Sequence, residues 1–179
     1  MDASQEVLDR ARKVSLVLMD VDGVLTDGQV MMYSDGSEGR AFSVRDGHGI
    51  RIGQRGGLLF GIVSGRESKV VAHRAEELYI TEVHQGIFDK AERYREILQR
   101  FQLSHEAVCY IGDDLVDVPV LRQVGLAVAP ANAEEEARGV AHWITPSRGG
   151  DGAVRDLVNL ILRAKGKWKA VTERYFKTE

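Results

Sequence analysis

Two carboxylates spaced two residues apart, Asp20 and Asp22, open the run Asp20-Val21-Asp22-Gly23-Val24-Leu25-Thr26-Asp27-Gly28 directly after an apolar stretch. In an extended chain, positions i and i+2 face the same way, so both carboxylates point to one pocket. Neighbouring carboxylates repel unless one takes a proton or a cation sits between them. Both remedies suit phosphate-ester chemistry, and Mg²⁺ is the hard ion that such oxygen donors prefer. A turn or helix cap is the plainer explanation of this segment taken alone.

Three further segments carry reactive types. In Ile62-Val63-Ser64-Gly65-Arg66 a hydroxyl follows an apolar run. It can donate to a phosphate oxygen, and the helix beginning nearby offers free N–H groups, although a simple helix start explains it equally well. Lys90 opens a helical pattern after Gly86-Ile87-Phe88-Asp89. A lysine there opposes the helix dipole, which calls for an acidic or phosphate partner unless the side chain is merely solvated. Tyr110-Ile111-Gly112-Asp113-Asp114-Leu115-Val116-Asp117 sets three carboxylates at a strand-to-helix junction. Asp114 reads as an N-cap, and Asp113, nearest the strand, as the second metal carboxylate.

The elements that must position these groups alternate between strand and helix. Short apolar runs at Val14–Met19, Leu58–Val63, Ala107–Ile111 and Gly125–Ala129 read as buried strands, with shorter ones at Tyr79–Val83 and His142–Thr145. Helical patterns cover Gly49–Gln54, Glu67–Leu78, Lys90–Phe101, the stretch after Asp114 to Val124, Ala133–Val140 and Ala153–Arg163. Gln29–Tyr33 and Arg40–Val44 flank the turn-rich Ser34-Asp35-Gly36-Ser37 and read as a β-hairpin. From Lys165 the tail is polar, with Trp168, Val171, Tyr175 and Phe176 as anchors. Alternation of this kind predicts an α/β domain with a mainly parallel sheet, whose ligand lies beyond the carboxyl ends of the strands. Three of the reactive segments, Asp20–Gly28, Ser64–Arg66 and Gly112–Asp117, then meet at one edge.

Composition agrees with a single folded domain spanning 1–179. The chain has 179 residues, 44% hydrophobic and 28% charged, with a formal net charge of −3. That balance gives no support to nucleic-acid binding. Cys109 is the one cysteine, so no intrachain disulfide forms, and a reducing compartment fits. No apolar run approaches the roughly 20 residues of a membrane span, and the N-terminus has no apolar signal core. The expected location is the cytoplasm, with no membrane partner.

The order acidic pair, hydroxyl, lysine, acidic cluster resembles the four motifs of the haloacid dehalogenase-like phosphatase superfamily. The resemblance extends over nearly the whole chain. Asp20–Gly28 (DVDGVLTDG), Phe42–Arg51 (FSVRDGHGIR), Tyr110–Asp117 (YIGDDLVD) and Gly149–Arg155 (GGDGAVR) look most like a capless branch that acts on sugar-acid phosphates. It implies a Rossmann-like three-layer sandwich with a mainly parallel sheet, a β-hairpin flap at about 28–45 and a C-terminal tail at about 165–179. The spacing agrees on the missing cap: 44 residues separate Asp20 from Ser64 and 26 separate Ser64 from Lys90. Most of both intervals is already assigned to elements, and an independent domain needs about 50 residues.

The resemblance also implies roles. Asp20 would be the nucleophile, forming an aspartyl-phosphate, and Asp22 the proton carrier. Mg²⁺ would be held by Asp20, Asp113 and the backbone carbonyl of Asp22. Ser64 and Lys90 would bind phosphate oxygens, with Asp114 or Asp117 orienting Lys90 or a metal-bound water. The expected substrate is a small phosphorylated sugar acid, 3-deoxy-D-manno-octulosonate 8-phosphate, or alternatively a sialic-acid-type 9-phosphate. Arg45, Arg51, Arg66 and Arg74 are candidates for its carboxylate or phosphate, because guanidinium offers paired donors. Thr26, Ser43, Val44, Asp46, Gly47 and Gly65 complete the expected substrate-binding set. His48 reads as a plain loop histidine. The branch forms homotetramers through its hairpins, and Met31, Met32, Tyr33 and Phe42 suit such a buried surface or packing on their own domain.

Two readings from other classes stay open. A receiver-type signalling domain also combines a strand-end aspartate, an acidic metal pocket, a hydroxyl and a lysine. Asp22 argues against it, because a proton carrier would shorten the life of a phospho-switch. A catalytically idle assembly module is the other, and the complete motif set argues against that.

Overall fold

The computed structural model describes residues 3–177. In chain order it runs α1 (Gln5–Lys13), β1 (Leu16–Met19), β2 (Met31–Met32), β3 (Glu38–Gly39), α2 (Val44–Arg55), β4 (Leu59–Val63), α3 (Lys69–Glu77) and β5 (Glu82–His84). It continues α4 (Lys90–Phe101), β6 (Val108–Ile111), α5 (Val118–Leu121), β7 (Leu126–Ala129), α6 (Glu135–Val140), β8 (Trp143–Ile144), α7 (Ala153–Ala164) and α8 (Trp168–Thr172). The main sheet is parallel throughout, in the order β5-β4-β1-β6-β7-β8, and β2 pairs with β3 as a separate antiparallel hairpin.

The inner strands alternate between two cores, as a period of two requires. Val17 and Met19, Cys109 and Ile111, and Leu126 and Val128 face the helices α1, α2, α3 and α7. Leu16 and Leu18, Val108 and Tyr110, and Ala127 and Ala129 face α4, α5 and α6. Both faces are covered, which is why these strands read as continuous apolar runs. This is the expected three-layer α/β sandwich. Among the described residues, no helix is long and apolar enough to cross a membrane.

Several boundaries differ from the sequence reading. The second hairpin arm is Glu38–Gly39, and Val44 already belongs to α2, which begins five residues before the expected Gly49. Ser43 caps it, its Oγ accepting from the Asp46 N–H at 3.3 Å. Gly47, Gly49 and Gly53 lower the helix propensity and conceal the element. They serve packing instead: a Cβ on Gly53 would sit 2.6 Å from the Phe60 ring. The strand expected at Tyr79–Val83 is Glu82–His84, because Tyr79 turns the chain with φ +57°. The helix expected after Asp114 is a 3₁₀ turn, Leu115–Asp117, followed by the one-turn α5.

Helix α1 has no counterpart in the sequence reading. Ser4 caps it, and Val7 and Ala11 are its buried face. The polar tail is also structured, with α8 followed by a 3₁₀ turn at Glu173–Tyr175. Trp168 and Val171 pack against the core. The Tyr175 hydroxyl accepts from Arg55 at 2.6 Å and lies 2.9 Å from His48 Nε2. His48 is therefore on α2 rather than in a loop. Phe176 is exposed and anchors nothing. The last two residues of the expected 165–179 tail lie outside the described residues.

Candidate active site

Met19, the last residue of β1, pairs with Ile62 on one side and Ile111 on the other. The three strands end level, so Asp20, Ser64 and Asp113 emerge at one edge beside the centre of the sheet. Lys90 reaches the same point from the first turn of α4.

The Lys90 ammonium lies 3.0 Å from Asp20 Oδ2 and donates to Asp117 Oδ1 at 2.7 Å. It is buried, and burial alone would disfavour its charge, yet the charges of Asp20 and Asp117 outweigh that and raise its pKa. Asp117 is wholly buried. Its Oδ1 also accepts from the Tyr110 hydroxyl at 2.6 Å, and its Oδ2 accepts from the Asp113 and Asp114 N–H groups at 3.0 and 3.3 Å. Asp117 thus orients Lys90 and shapes the loop. Asp114 is an exposed cap, bonded to the Leu115 N–H and sharing a capping box with Asp117. Tyr110 was expected only as a strand residue. Its role was invisible because an aromatic in an apolar run reads as core.

Carboxylate oxygens of Asp20, Asp113 and Asp117 lie within 4.8 Å of one another. Burial, then the charge of Asp117, pushes Asp20 up to about 7. Burial, then the charges of Asp20 and Asp117, pushes Asp113 up to about 8. Asp113 Oδ1 is buried without any hydrogen-bond partner. An unpartnered buried oxygen on one of three clustered carboxylates is a donor that suits a hard cation, so the donor set fits Mg²⁺. Since both oxygens of Asp117 are already engaged by donors, Asp20 and Asp113 are the side chains left for the ion.

Asp22, expected in the same pocket as Asp20, is not one of these three carboxylates, because Arg40 binds it. Its Oδ1 accepts from Arg40 Nε at 2.8 Å, with Nη2 3.4 Å from Oδ2. Arg40 has a fully buried side chain and also pairs with Glu38. The sequence reading missed it, since Arg40 counted only as the first residue of a hairpin arm. Arg66 stands outside, 3.8 Å from Asp22 and 3.7 Å from Glu38, and over half exposed. Ser64 is buried at the end of β4, its Oγ accepting from the Arg66 N–H at 3.3 Å. Gly65 is exposed next to it.

Other expected substrate contacts are occupied by the protein itself. Thr26 is buried, donating to the Val21 carbonyl and accepting from Gly28 at 3.2 Å, so it shapes the Asp20–Gly28 loop. Asp46 is buried and accepts from the N–H groups of Gly152 and Arg155 at 3.1 and 2.7 Å, pinning the start of α7. Ser43 is a cap, and Gly47 lies against the Arg74 guanidinium. Arg74 donates to the Ser43 carbonyl and pairs with Glu77. Arg51 lies over the Tyr79 ring and bonds Gln54. Val44 and Arg45 remain exposed, Arg45 reaching the Asp151 carbonyl at 3.2 Å. The Gly149–Arg155 segment packs on the Asp20–Gly28 loop through the Gly150 N–H to Val24 carbonyl bond of 2.9 Å. In the hairpin Met31, Met32 and Tyr33 are exposed, whereas Phe42 packs on its own domain.

Comparison with known proteins agrees with this geometry. Residues 66–157 match the family model of haloacid dehalogenase-like hydrolases. The chain is 44% identical over 169 residues to the 3-deoxy-D-manno-octulosonate 8-phosphate phosphatase of Yersinia pestis, covering 94% of this chain and 90% of the relative. A crystal structure of a probable YrbI family phosphatase from Pseudomonas syringae superposes with a TM-score of 0.96 at 42% identity, covering 98% and 100% of the two chains. Another, the 3-deoxy-D-manno-octulosonate 8-phosphate phosphatase of Moraxella catarrhalis with magnesium, phosphate and KDO, superposes with a TM-score of 0.93 at 36% identity, covering 95% and 98%.

Proposed function

The chain belongs to the haloacid dehalogenase-like hydrolase family, and from this premise we propose that it removes phosphate from 3-deoxy-D-manno-octulosonate 8-phosphate, a step of lipopolysaccharide biosynthesis. That it is a phosphatase follows from the family and the relatives. The substrate rests on the shared activity of relatives at 41–44% identity over more than nine-tenths of this chain. The receiver-type and idle-module readings give way to this one.

The observation that carries the mechanism is the setting of Asp20, between the Lys90 ammonium at 3.0 Å and the orphaned carboxylate of Asp113. Asp20 attacks phosphorus, and the sugar oxygen departs with a proton from Asp22. Water, deprotonated by Asp22, then cleaves the aspartyl-phosphate. Lys90 and Ser64 bind the phosphate oxygens on which charge accumulates. Asp20, Asp113 and the Asp22 carbonyl would hold Mg²⁺, which would supply the positive charge that lets an anionic nucleophile meet an anionic phosphate. Arg66 and Arg45, both more than half exposed and held only by longer contacts to Asp22, Glu38 and Asp151, are the cations among the candidates best able to meet the sugar-acid carboxylate. Arg51 and Arg74 lie further from this role, because their guanidinium groups are engaged elsewhere.

The whole chain acts as one domain without a cap. The exposed Met31, Met32 and Tyr33 of the hairpin support assembly as a homotetramer, the arrangement expected from the resemblance. The cytoplasmic site of action expected from the sequence belongs to the same proposal.

The experiment is phosphate release from a panel of phosphorylated sugars containing the eight-carbon 8-phosphate and the nine-carbon 9-phosphate, with Mg²⁺ and with chelator. We expect Mg²⁺-dependent preference for the eight-carbon acid. A preference for the nine-carbon acid would replace the substrate and leave the mechanism standing.

A further inference from the structure

Arg40 belongs to none of the phosphatase motifs, yet its guanidinium joins three parts of the site. Nε donates to Asp22 Oδ1 at 2.8 Å, in the catalytic loop. Nη1 donates to Glu38 Oε1 at 2.6 Å, in the hairpin, and to Ser68 Oγ at 2.8 Å, the cap of α3. The side chain has no solvent exposure, whereas the Asp22 side chain is 22% exposed.

The two oxygens of Asp22 are therefore unequal. Oδ1 accepts from Nε at 2.8 Å, while Oδ2 accepts a longer bond from Nη2 at 3.4 Å and lies 3.8 Å from Arg66 Nε. We propose that Arg40 is a positioning residue: its guanidinium grips both oxygens of Asp22, Oδ1 more closely, and so fixes the rotamer from which the more loosely held Oδ2 carries the proton in both half-reactions. A guanidinium suits this because it is planar and rigid, and Glu38 and Ser68 fix its orientation in turn. An unanchored aspartate would sample several rotamers, and proton transfer demands hydrogen-bond reach to the reacting atom.

The inference rests on the aspartyl-phosphate reading. In the first half-reaction an Asp20 oxygen bonds to phosphorus, the phosphorus–ester oxygen bond breaks, and the departing oxygen takes the proton from Oδ2. In the second, Oδ2 takes a proton from water as the water oxygen bonds to phosphorus. The acyl-phosphate bond then breaks and Asp20 regains its carboxylate. Acetate leaves from acetyl phosphate without needing a proton, so this donor bypasses Asp22 in the first half only.

The test is rapid-quench measurement of phosphoenzyme from acetyl phosphate, alongside sugar-phosphate turnover, in wild type, Arg40→Met and Arg40→Lys. In Arg40→Met we expect phosphoenzyme to form within a few-fold of the wild-type rate and to decay about 100-fold more slowly, so that it accumulates; sugar-phosphate turnover falls by a similar factor. Arg40→Lys, with a point charge in place of the fork, should decay between the two. Adding Arg40→Met to Asp22→Asn should cost nothing further, because Arg40 acts through Asp22. A simple structural role would slow formation and decay together, without accumulation, and that result overturns the proposal. So does either variant that labels and then loses its phosphate at the wild-type rate. Should Arg40→Met fail to fold, Arg40→Lys decides alone on decay. Absence of phosphoenzyme in wild type would strike the aspartyl-phosphate reading itself.

Discussion

Lys90 and Asp117 form a buried pair, 2.7 Å apart, with the Asp117 oxygen shared by the Tyr110 hydroxyl at 2.6 Å. One carboxylate therefore holds the lysine proposed to bind phosphate in place while two backbone N–H groups hold the carboxylate. Without Asp117, Lys90 keeps only Asp20, and the Tyr110 hydroxyl and the Asp113 and Asp114 N–H groups lose their acceptor, at a cost of about 1–3 kcal/mol for each group left unsatisfied. We expect Asp117→Ala to lose stability on that scale and to lose turnover with it. Tyr110→Phe removes one neutral donor and should cost about 1 kcal/mol while keeping most activity. Chemical denaturation of the two variants, with matched turnover assays, checks both.

Gly23 sets the depth of the metal site. Its φ is +93°, and a Cβ there would overlap the Asp113 carboxylate. Gly23→Ala should displace Asp113 from Asp20, so that half-maximal activity requires a higher Mg²⁺ concentration. A Mg²⁺ titration of activity reads this directly, and an unchanged midpoint would show that Asp113 is not a ligand.

Stability without a divalent cation should fall as pH rises. Burial raises Asp20 to about 7 and Asp113 to about 8, against an unperturbed value of 3.8. Between the low and the raised values the folded chain binds more protons than the unfolded chain, so deprotonation works against folding across that window. A cation that binds the ionised pair should lessen the fall. We expect melting temperature in chelator to drop from pH 5 to pH 8.5 in wild type, less so with Mg²⁺, and least in Asp113→Asn.

Asp46 separates a structural carboxylate from a substrate contact. It is buried and pins the Gly152 and Arg155 N–H groups. Asp46→Ala leaves those groups without their acceptor, at about 1–3 kcal/mol for each unsatisfied group. The expected result is a lower melting temperature. A selective rise in KM at unchanged stability would restore Asp46 to the substrate site.

What the sequence disclosed, and what it hid, follows from which interactions are local. Asp20, Ser64 and Asp113 were legible because each follows an apolar run, and a parallel sheet brings such ends together. Lys90 was legible because a lysine at a helix start is out of place beside the dipole. Arg40 was not, since its partners Asp22 and Ser68 lie 18 and 28 residues away and only the folded hairpin joins them. The start of α2 was hidden by glycines that its packing requires. The acceptor role of Asp46 was hidden for a related reason: it depends on N–H groups more than 100 residues distant.

The nucleophile is where the account stands or falls. Phosphate release from 3-deoxy-D-manno-octulosonate 8-phosphate should be measured for wild type and Asp20→Asn, each with Mg²⁺ and with chelator, beside a spectrum showing that the variant is folded. We expect release by wild type with Mg²⁺, its abolition by chelator, and none from a folded Asp20→Asn. Phosphate release by Asp20→Asn at the wild-type rate would contradict the mechanism.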